Sequence, residues 1–207
     1  KTPLTSISGY AELIETGIAK PEDTPGFARK IHVEASRMIQ LVNDILQLSH
    51  LDNVSETGAA PAMETVDLCV ERQKVNARHS YISLTYLGES APVTGSRVLL
   101  DELCQNLCDN AIRYNRPGGK VQIITACTRD GHCTLTVKDN GIGIPKEAQT
   151  SVFERFYRVD KGRSRAAGGT GLGLAIVKNA IALHRGSIQA LLRKPSGLVF
   201  IITLPLD

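Results

Sequence analysis

The spacing of apolar residues predicts two amphipathic helices at the start of the chain. In each stripe the apolar residues recur at intervals of three and four, as on one face of a helix. The first stripe consists of Leu4, Ile7, Ala11, Ile14 and Ile18, and the second of Phe27, Ile31, Met38, Leu41, Val42, Ile45 and Leu48. Residues 20–25 between them contain two prolines and read as a loop. Residues 1–54 therefore predict a helical hairpin.

The two stripes are too extensive for a pair of helices to cover by packing on each other. A homodimer that forms a four-helix bundle would bury both, and we expect this arrangement. The alternative is an intramolecular hairpin that rests on the next domain. Residues 55–62 then lose all periodicity and contain Gly58 and Pro61, which predicts a linker.

Residues 63–207 mix helical and strand patterns. Helices are predicted at 66–77, 96–114 and 172–184, the last closed by Gly186, and strands at 82–87, 121–128, 133–138, 187–192 and 198–204. Helices interleave with strand hairpins, which favours an α/β sandwich with a mixed sheet over a doubly wound parallel sheet. The predicted fold class of the whole chain is α+β.

Composition narrows the possible partners. The 24 basic and 21 acidic residues leave a net charge of +3, so we expect no nucleic acid as partner. No run approaches the ~20 apolar residues of a membrane helix. Five cysteines without a C-x-x-C pair predict buried thiols in a reducing compartment, not a disulfide framework or a zinc site.

Two glycine clusters predict a nucleotide pocket. Asp139 precedes the first cluster, Gly141 to Gly143, and the second cluster, residues 168–173, leads into a helix. Glycines let a backbone approach a ligand closely, and a helix start offers free N–H groups to phosphates. A carboxylate can accept a hydrogen bond from an exocyclic amine such as that of adenine.

The helix at 96–114 adds a candidate metal ligand. Asn106 and Asn110 lie one turn apart and so share a face. An amide oxygen suits Mg²⁺ that is bound with nucleotide phosphates. Asparagine on a helix is more often simply exposed to solvent, so this assignment depends on the neighbouring glycine loops.

Four of these segments, in this order, resemble the motifs of sensor histidine kinases. Residues 106–115 resemble the N box, 139–143 the G1 box, 153–158 the F box and 169–174 the G2 box. Residues 1–4 resemble the end of the H box, whose family form is His-Glu-Leu-Lys-Thr-Pro-Leu. The resemblance implies a dimerisation and histidine-phosphotransfer hairpin (1–54), a linker (55–62) and a catalytic ATP-binding domain (63–207).

The resemblance implies a role for each residue of an Mg-ATP site. Asp139 would accept from the adenine amino group, Asn110 would bind Mg²⁺, and Asn106 would support the phosphates. Arg158 would neutralise charge near the γ-phosphate. The other nucleotide-binding residues would be Arg113, Tyr114, Gly141, Gly143, Ile144, Tyr157, Gly169, Thr170, Gly171, Leu172, Gly173 and Leu174. Residues 160–168 fit a mobile lid over ATP, with an ordinary solvated loop as the alternative.

Asn106 favours phosphoryl transfer over hydrolysis. Related ATP hydrolases, gyrase and the heat-shock chaperone, carry at this position an acidic residue that can activate water. The resemblance implies a kinase that phosphorylates a histidine on the hairpin and relays the phosphoryl group to an aspartate of a response regulator receiver domain. Thr2 would position water for dephosphorylating that regulator, or it caps the helix instead.

The H-box histidine would lie three residues before Lys1 and is absent from this sequence. We interpret the chain as the truncated cytoplasmic portion of a longer, membrane-anchored bacterial protein, attached only through upstream segments, and expect no autophosphorylation of the piece itself. None of the five histidines (His32, His50, His79, His132 and His184) has the H-box context; at a helix C-terminus, His184 would favour a partly positive ring. The alternatives are a Ser/Thr kinase of the anti-sigma-factor type and a non-catalytic, nucleotide-binding dimeric scaffold.

Overall fold

The computed structural model describes residues 2–51, 59–88, 92–94, 96–159 and 169–205. Contacts divide the chain into two compact units, residues 1–49 and 50–207. Within the described residues, no helix is both long and apolar enough to cross a membrane.

The first unit is the predicted helical hairpin. Helix α1 spans Thr2–Glu15, and helix α2 begins at Thr24 and ends at Leu51. Gly17, with φ of 70°, reverses the chain after α1. Tyr10 of α1 stacks on Phe27 of α2 with ring centroids 5.3 Å apart, and Lys30 Nζ lies 5.0 Å from the centre of the Tyr10 ring. These contacts hold the two helices together.

The second unit is a mixed sheet with helices on one face. Its elements are β1 (Ala59–Pro61), α3 (Ala62–His79), β2 (Ser83–Gly88), β3 (Pro92–Thr94), α4 (Arg97–Arg113), β4 (Lys120–Cys127), β5 (His132–Asp139), α5 (Gly173–Leu183), β6 (Ser187–Leu192) and β7 (Leu198–Pro205), with short 3₁₀ turns at Lys146–Ala148 and Ser151–Phe153. The sheet order is β2-β4-β5-β7-β6. Among the described strands of this sheet, β2 and β4 alone pair in parallel. The predicted α+β class with a mixed sheet is confirmed.

Two short strands were not predicted. β1 and β3 pair antiparallel as a separate ribbon, with Ala60 opposite Val93. β1 falls inside the stretch predicted as a linker. It was missed because three residues are too few to show an alternating pattern.

The core of the second unit lies between the sheet and helices α3, α4 and α5. Strand β5 buries every second residue, and Leu135 and Val137 face the helices. On α4, Leu103 and Leu107 are completely buried. This core fixes the orientation of α4 and therefore of its polar face.

The end of α5 differs from the prediction. Arg185, with φ of 54°, adopts the left-handed conformation that was expected for Gly186. The N–H groups of Arg185 and Gly186 donate to the carbonyls of Ala182 and Ile181 at 3.0 and 2.9 Å, which is a Schellman motif. Gly186 serves another purpose, because a Cβ there would lie 2.6 Å from the Thr203 carbonyl oxygen.

His184 has a structural role, and the prediction of a partly positive ring is wrong. Its ring is buried. Nε2 accepts the backbone N–H of Ser96 at 3.1 Å, so the ring proton sits on Nδ1, which lies 2.7 Å from the Ala180 carbonyl. The neutral ring thereby joins the N-cap of α4 to the end of α5.

The prediction of buried thiols is correct for four cysteines and wrong for one. Cys69, Cys104, Cys108 and Cys133 are buried, whereas Cys127 is exposed. Cys127 is the last residue of β4, and a strand end near a turn cannot be covered fully by the helical layer.

Candidate functional site

Helix α4 presents two asparagines opposite its buried face. Its apolar residues recur every three or four positions and are buried against the core. Asn106 and Asn110 are half-buried and share the remaining polar face. The Asn106 amide Nδ2 donates to the Glu102 carbonyl at 2.9 Å. This bond fixes the amide and leaves its oxygen Oδ1 to face away from the helix.

The start of α5 lies directly against these asparagines. A Cβ added to Gly173 would be 2.7 Å from Asn106 Oδ1 and 3.9 Å from Asn110 Nδ2. Only glycine leaves room here for the amides beside the first turn of α5. The predicted N box and G2 box therefore meet in the structure.

Asp139 ends β5 with a buried carboxylate. Its Oδ1 accepts the N–H groups of Gly141 at 2.8 Å and Leu198 at 3.3 Å. Burial raises the pKa of Asp139, and the two backbone donors and Arg193 oppose that shift. Among the described residues, only Oδ1 receives hydrogen bonds, so the arrangement leaves Oδ2 for a further donor.

The first glycine loop packs against the end of α4. A Cβ on Gly141 would lie 2.5 Å from the Tyr114 carbonyl oxygen, and the same carbonyl accepts the N–H of Ile142 at 3.1 Å. Gly143 turns the chain with φ of 66°, and Ile144 packs on the core. This contact positions Asp139 relative to the polar face of α4.

The predicted F box and second glycine cluster also meet. The Phe156 N–H donates to the Gly171 carbonyl at 2.9 Å. A Cβ on Gly171, whose φ is 79°, would lie 3.0 Å from the Phe156 carbonyl carbon and 3.1 Å from the Tyr157 oxygen. Thr170 Oγ1 accepts the N–H of the buried Leu172 at 3.3 Å. The loop before α5 is therefore held on one side by Phe156 and Tyr157.

Arg158 has buried donors that find no partner among the described residues. Its Nε and Nη2 atoms are inaccessible to solvent and make no hydrogen bond within the described part of the chain. Buried donors of a charged group are normally satisfied. A guanidinium in this state, on the residue that follows the Phe156 and Tyr157 contacts to Gly171, indicates a site for an anionic ligand.

The remaining predicted residues lie at the end of α4 and at the two ends of the second glycine cluster. Arg113 is exposed in the last turn of α4, where it opposes the rise that burial causes in the pKa of Asp109. Gly169 and Leu174 are half-buried at either end of the second cluster. The predicted lid, residues 160–168, and the side chain of Thr2 lie outside the described residues.

The turn between β6 and β7 was missed as part of this site. Gly197, with φ of 112°, lies so close to the Asp139 carbonyl oxygen that no side chain fits. Arg193 Nη1 donates to that same oxygen at 3.2 Å. The sequence marked this segment as a hairpin turn, but the register that places it beside β5 involves residues far apart in the chain.

Metal binding here would depend on the ligand as well as the protein. Within the described residues, no group of three or more histidine, cysteine, aspartate or glutamate side chains could hold an ion. An asparagine oxygen and nucleotide phosphates together form a donor set that suits Mg²⁺.

Both ends of the chain match known protein families. Residues 95–207 match the family "Histidine kinase-, DNA gyrase B-, and HSP90-like ATPase", and residues 1–54 match the "His Kinase A (phospho-acceptor) domain". The sensor-like histidine kinase SenX3 of Mycolicibacterium smegmatis is 40% identical in an alignment 216 residues long, which covers 99% of this chain and 54% of SenX3. The chain thus spans about half the length of that relative.

Solved structures with the same fold cover the chain from end to end. Acinetobacter baumannii histidine kinase AdeS is 25% identical with a TM-score of 0.75, over 100% of this chain and 96% of AdeS. Histidine kinase ThkA, in complex with response regulator protein TrrA, is 24% identical with a TM-score of 0.78, over 99% of this chain and 58% of ThkA.

Proposed function

This chain belongs to the sensor histidine kinase family, and we propose that it is the catalytic core of such a kinase. Residues 63–207 would bind Mg-ATP and transfer its γ-phosphoryl group to a histidine of the hairpin in the longer protein. The phosphoryl group would then pass to an aspartate of a response regulator receiver domain. The observation that carries this proposal is the contact of Gly173 with Asn106 and Asn110. The buried Nε and Nη2 donors of Arg158, which have no partner among the described residues, support it.

The buried end of the pocket would recognise adenine through Asp139. Two backbone N–H groups hold Oδ1 in place, so Oδ2 can accept from the exocyclic amine. A rigid, buried carboxylate is a strong acceptor and rejects a purine that offers a carbonyl instead. The proposed site therefore prefers adenine over guanine nucleotides.

The phosphates would lie between α4 and the start of α5. The N–H groups of the first turn of α5 favour an anion there, and Gly173 lets the phosphates approach the two amides. When bound, Mg²⁺ would neutralise phosphate charge, held by the Asn110 oxygen and by the nucleotide. Arg158 would then donate to the γ-phosphate and stabilise the charge that develops during transfer.

Asn106 supports transfer to a protein acceptor over hydrolysis. Its amide is hydrogen-bonded to Glu102 and cannot take a proton from water as a carboxylate can. Bound ATP would therefore await the imidazole of the acceptor histidine. Slow hydrolysis is what a phosphotransfer enzyme needs.

The hairpin would form the dimer. Helix α2 exposes Ile39, Val42, Ile45 and Leu46, and these residues form an apolar stripe at helical spacing. A second copy would cover this stripe in a four-helix bundle.

The response regulator would dock on exposed residues of α1 and the facing part of α2, and Thr2 would have its phosphatase role there. The match of residues 1–54 to a phospho-acceptor domain disfavours the Ser/Thr kinase of the anti-sigma-factor type.

Trans-phosphorylation tests the proposal directly. The chain is mixed with Mg-ATP and with a longer version that carries the upstream segment and an Asn110→Ala substitution. Acid-labile, base-stable labelling of the longer chain is expected, since phosphohistidine has this stability. The same mixture with Asn110→Ala in both chains is the control. No labelling, together with no ATP binding by calorimetry, would contradict the proposal.

A further inference from the structure

The hairpin of β4 and β5 places two cysteines directly opposite each other. The strand register pairs Cys127 with Cys133. At the next position toward the turn, the Thr128 N–H donates to the His132 carbonyl at 2.8 Å, so that pair is hydrogen-bonded. Hydrogen-bonded and non-hydrogen-bonded pairs alternate along an antiparallel ladder. The cysteine pair is therefore non-hydrogen-bonded, the kind in which side chains approach most closely.

The two thiols also lie on the same face of the sheet. Cys127 continues the alternation of Ile123 and Thr125, and Cys133 begins that of Leu135. Cα atoms of a non-hydrogen-bonded pair are about 4.5 Å apart, which is within the range of about 4.4–6.8 Å that disulfides span. The backbone needs no large rearrangement for the sulfurs to join.

The pair combines an accessible thiol with a sheltered one. Cys127 is exposed at the end of β4, and Cys133 is only 2% exposed. The remaining cysteines lie on α3 and α4 and are all buried. An oxidant in solution therefore meets Cys127 first, with Cys133 as its nearest thiol neighbour across the ladder.

We propose that Cys127 and Cys133 are an oxidative modification site that closes to an intramolecular disulfide, with a low-molecular-weight disulfide as the oxidant. The Cys127 thiolate attacks one sulfur of the oxidant, forms a mixed disulfide and releases one thiol. The Cys133 thiolate then attacks the Cys127 sulfur and releases the second thiol. The two protein thiols lose two protons and two electrons, and the oxidant is reduced to two thiols.

The second step sets the rate of closure. Burial raises the pKa of Cys133 to about 11, so only a small fraction is thiolate near neutral pH. Closure should therefore accelerate as the pH rises toward that value.

The disulfide would sit at the far end of β5 from Asp139, about 20 Å away at ~3.4 Å per residue. Nucleotide binding should not change, and the inference stands independently of the proposed function.

Peptide mapping after oxidation tests the site. The full chain is incubated under native conditions with glutathione disulfide, then alkylated and digested with trypsin without reduction. Cleavage after Lys120, Arg129 and Lys138 separates the two cysteines into peptides 121–129 and 130–138. We expect these two peptides to appear as one disulfide-linked species, which reduction separates. The three helix cysteines should remain alkylatable once the chain is unfolded.

Two variants identify the order of the steps. Cys127→Ser should abolish the linked species and leave Cys133 reduced. Cys133→Ala should accumulate the mixed disulfide on Cys127, because nothing resolves it. A persistent mixed disulfide on Cys127 in the unsubstituted chain would overturn the proposal. So would no reaction at Cys127, or a linked species that joins Cys69 to Cys104 or Cys108.

Discussion

The hairpin (residues 1–49) and the second unit (residues 50–207, called the catalytic unit after its proposed role) both contain amphipathic helices, but they cover the apolar faces of these helices differently. In the catalytic unit, helices and a five-stranded sheet bury their apolar faces against each other, and residues such as Leu107 and Ile202 are completely inaccessible. Among the side chains described between residues 3 and 49, only those of Asp44 and Leu48 are buried. An apolar stripe therefore predicts that a surface will be covered, but it does not say whether this chain or another covers it.

The difference follows from the number of layers. Three helices packed on a sheet form a closed core within one chain. Two helices form one contact surface and leave the rest of their apolar stripes in water, as Ile39 and Val42 show with exposures of 63% and 52%. The catalytic unit should therefore be stable by itself, and the hairpin should depend on the concentration of its partner.

The largest expected effect comes from the core of the catalytic unit. Leu107→Ala should lower its free energy of unfolding by about 2–5 kcal/mol, because Leu107 is 0% exposed and its removal leaves a cavity. Urea unfolding followed by circular dichroism measures this. Ile39→Ala on the hairpin is the matched control and should leave that transition unchanged. Equal effects of the two substitutions would remove the distinction between the regions.

A smaller effect is expected at the proposed adenine end. Asp139→Asn should weaken ATP binding about 10- to 100-fold, which corresponds to the ~1.5–3 kcal/mol of a hydrogen bond to a charged group. Asparagine keeps an oxygen for the N–H groups of Gly141 and Leu198, so the loop should retain its conformation. Calorimetric titration with ATP measures the change. Unaltered affinity would exclude Asp139 from adenine recognition.

Asp139→Asn should weaken ATP binding but should not lower the free energy of unfolding of the catalytic unit. Burial raises the pKa of Asp139 in the folded state, so this carboxyl contributes stability that is full below its ordinary pKa and is lost as pH rises through the raised value. At neutral pH, Asp139→Asn should therefore be at least as stable as the unsubstituted chain. ATP affinity of the unsubstituted chain should fall as the pH drops through the raised pKa, since a protonated carboxyl cannot accept as well. The variant should lack that pH dependence.

The hairpin should show its largest response in association. Ile39→Asp should raise the dimer dissociation constant about tenfold or more, or about 1.4 kcal/mol, since a charge would enter the apolar interface. Sedimentation at several concentrations measures this. The matched control is Ser36→Asp, a polar position on the same helix. A chain that is monomeric without any substitution would instead support the intramolecular alternative.

The sequence predicted the regular elements well and the contacts between them poorly. Long amphipathic stretches such as α4 and alternating strands such as β5 carry their own periodicity. The order of the four motifs predicted a pocket shared by the asparagines and the glycine loops, and the structure brings Asn106 and Asn110 against Gly173. The support of Asp139 by Gly197 and Arg193 was not predictable, because it depends on the strand register between β5 and β7. The bound roles of the site residues stay predictions.

The smallest effects on stability are expected from substitutions at the residues that end one helix in each region, α1 in the hairpin and α5 in the catalytic unit. α1 is followed by Gly17 at φ of 70°, where an added Cβ would have no described atom within 4 Å, and α5 by Arg185 at φ of 54°. A residue other than glycine in this conformation costs roughly 1 kcal/mol. Arg185→Gly should therefore stabilise the catalytic unit by about 1 kcal/mol, and Gly17→Ala should destabilise the hairpin by a similar amount.

Gly186→Ala separates conformational strain from close packing in the same turn. Gly186 has no left-handed φ, but its Cβ would lie 2.6 Å from the Thr203 carbonyl oxygen and 2.7 Å from Leu204 Cδ2. The substitution should push α5 away from β7 and lower the thermal unfolding midpoint of the catalytic unit, whereas Arg185→Gly should raise it. If Arg185→Gly also lowers the midpoint, the arginine side chain stabilises the helix end by more than its backbone conformation costs. The stability of the catalytic unit would then depend on a surface contact of the Arg185 side chain, which the backbone conformation alone does not reveal.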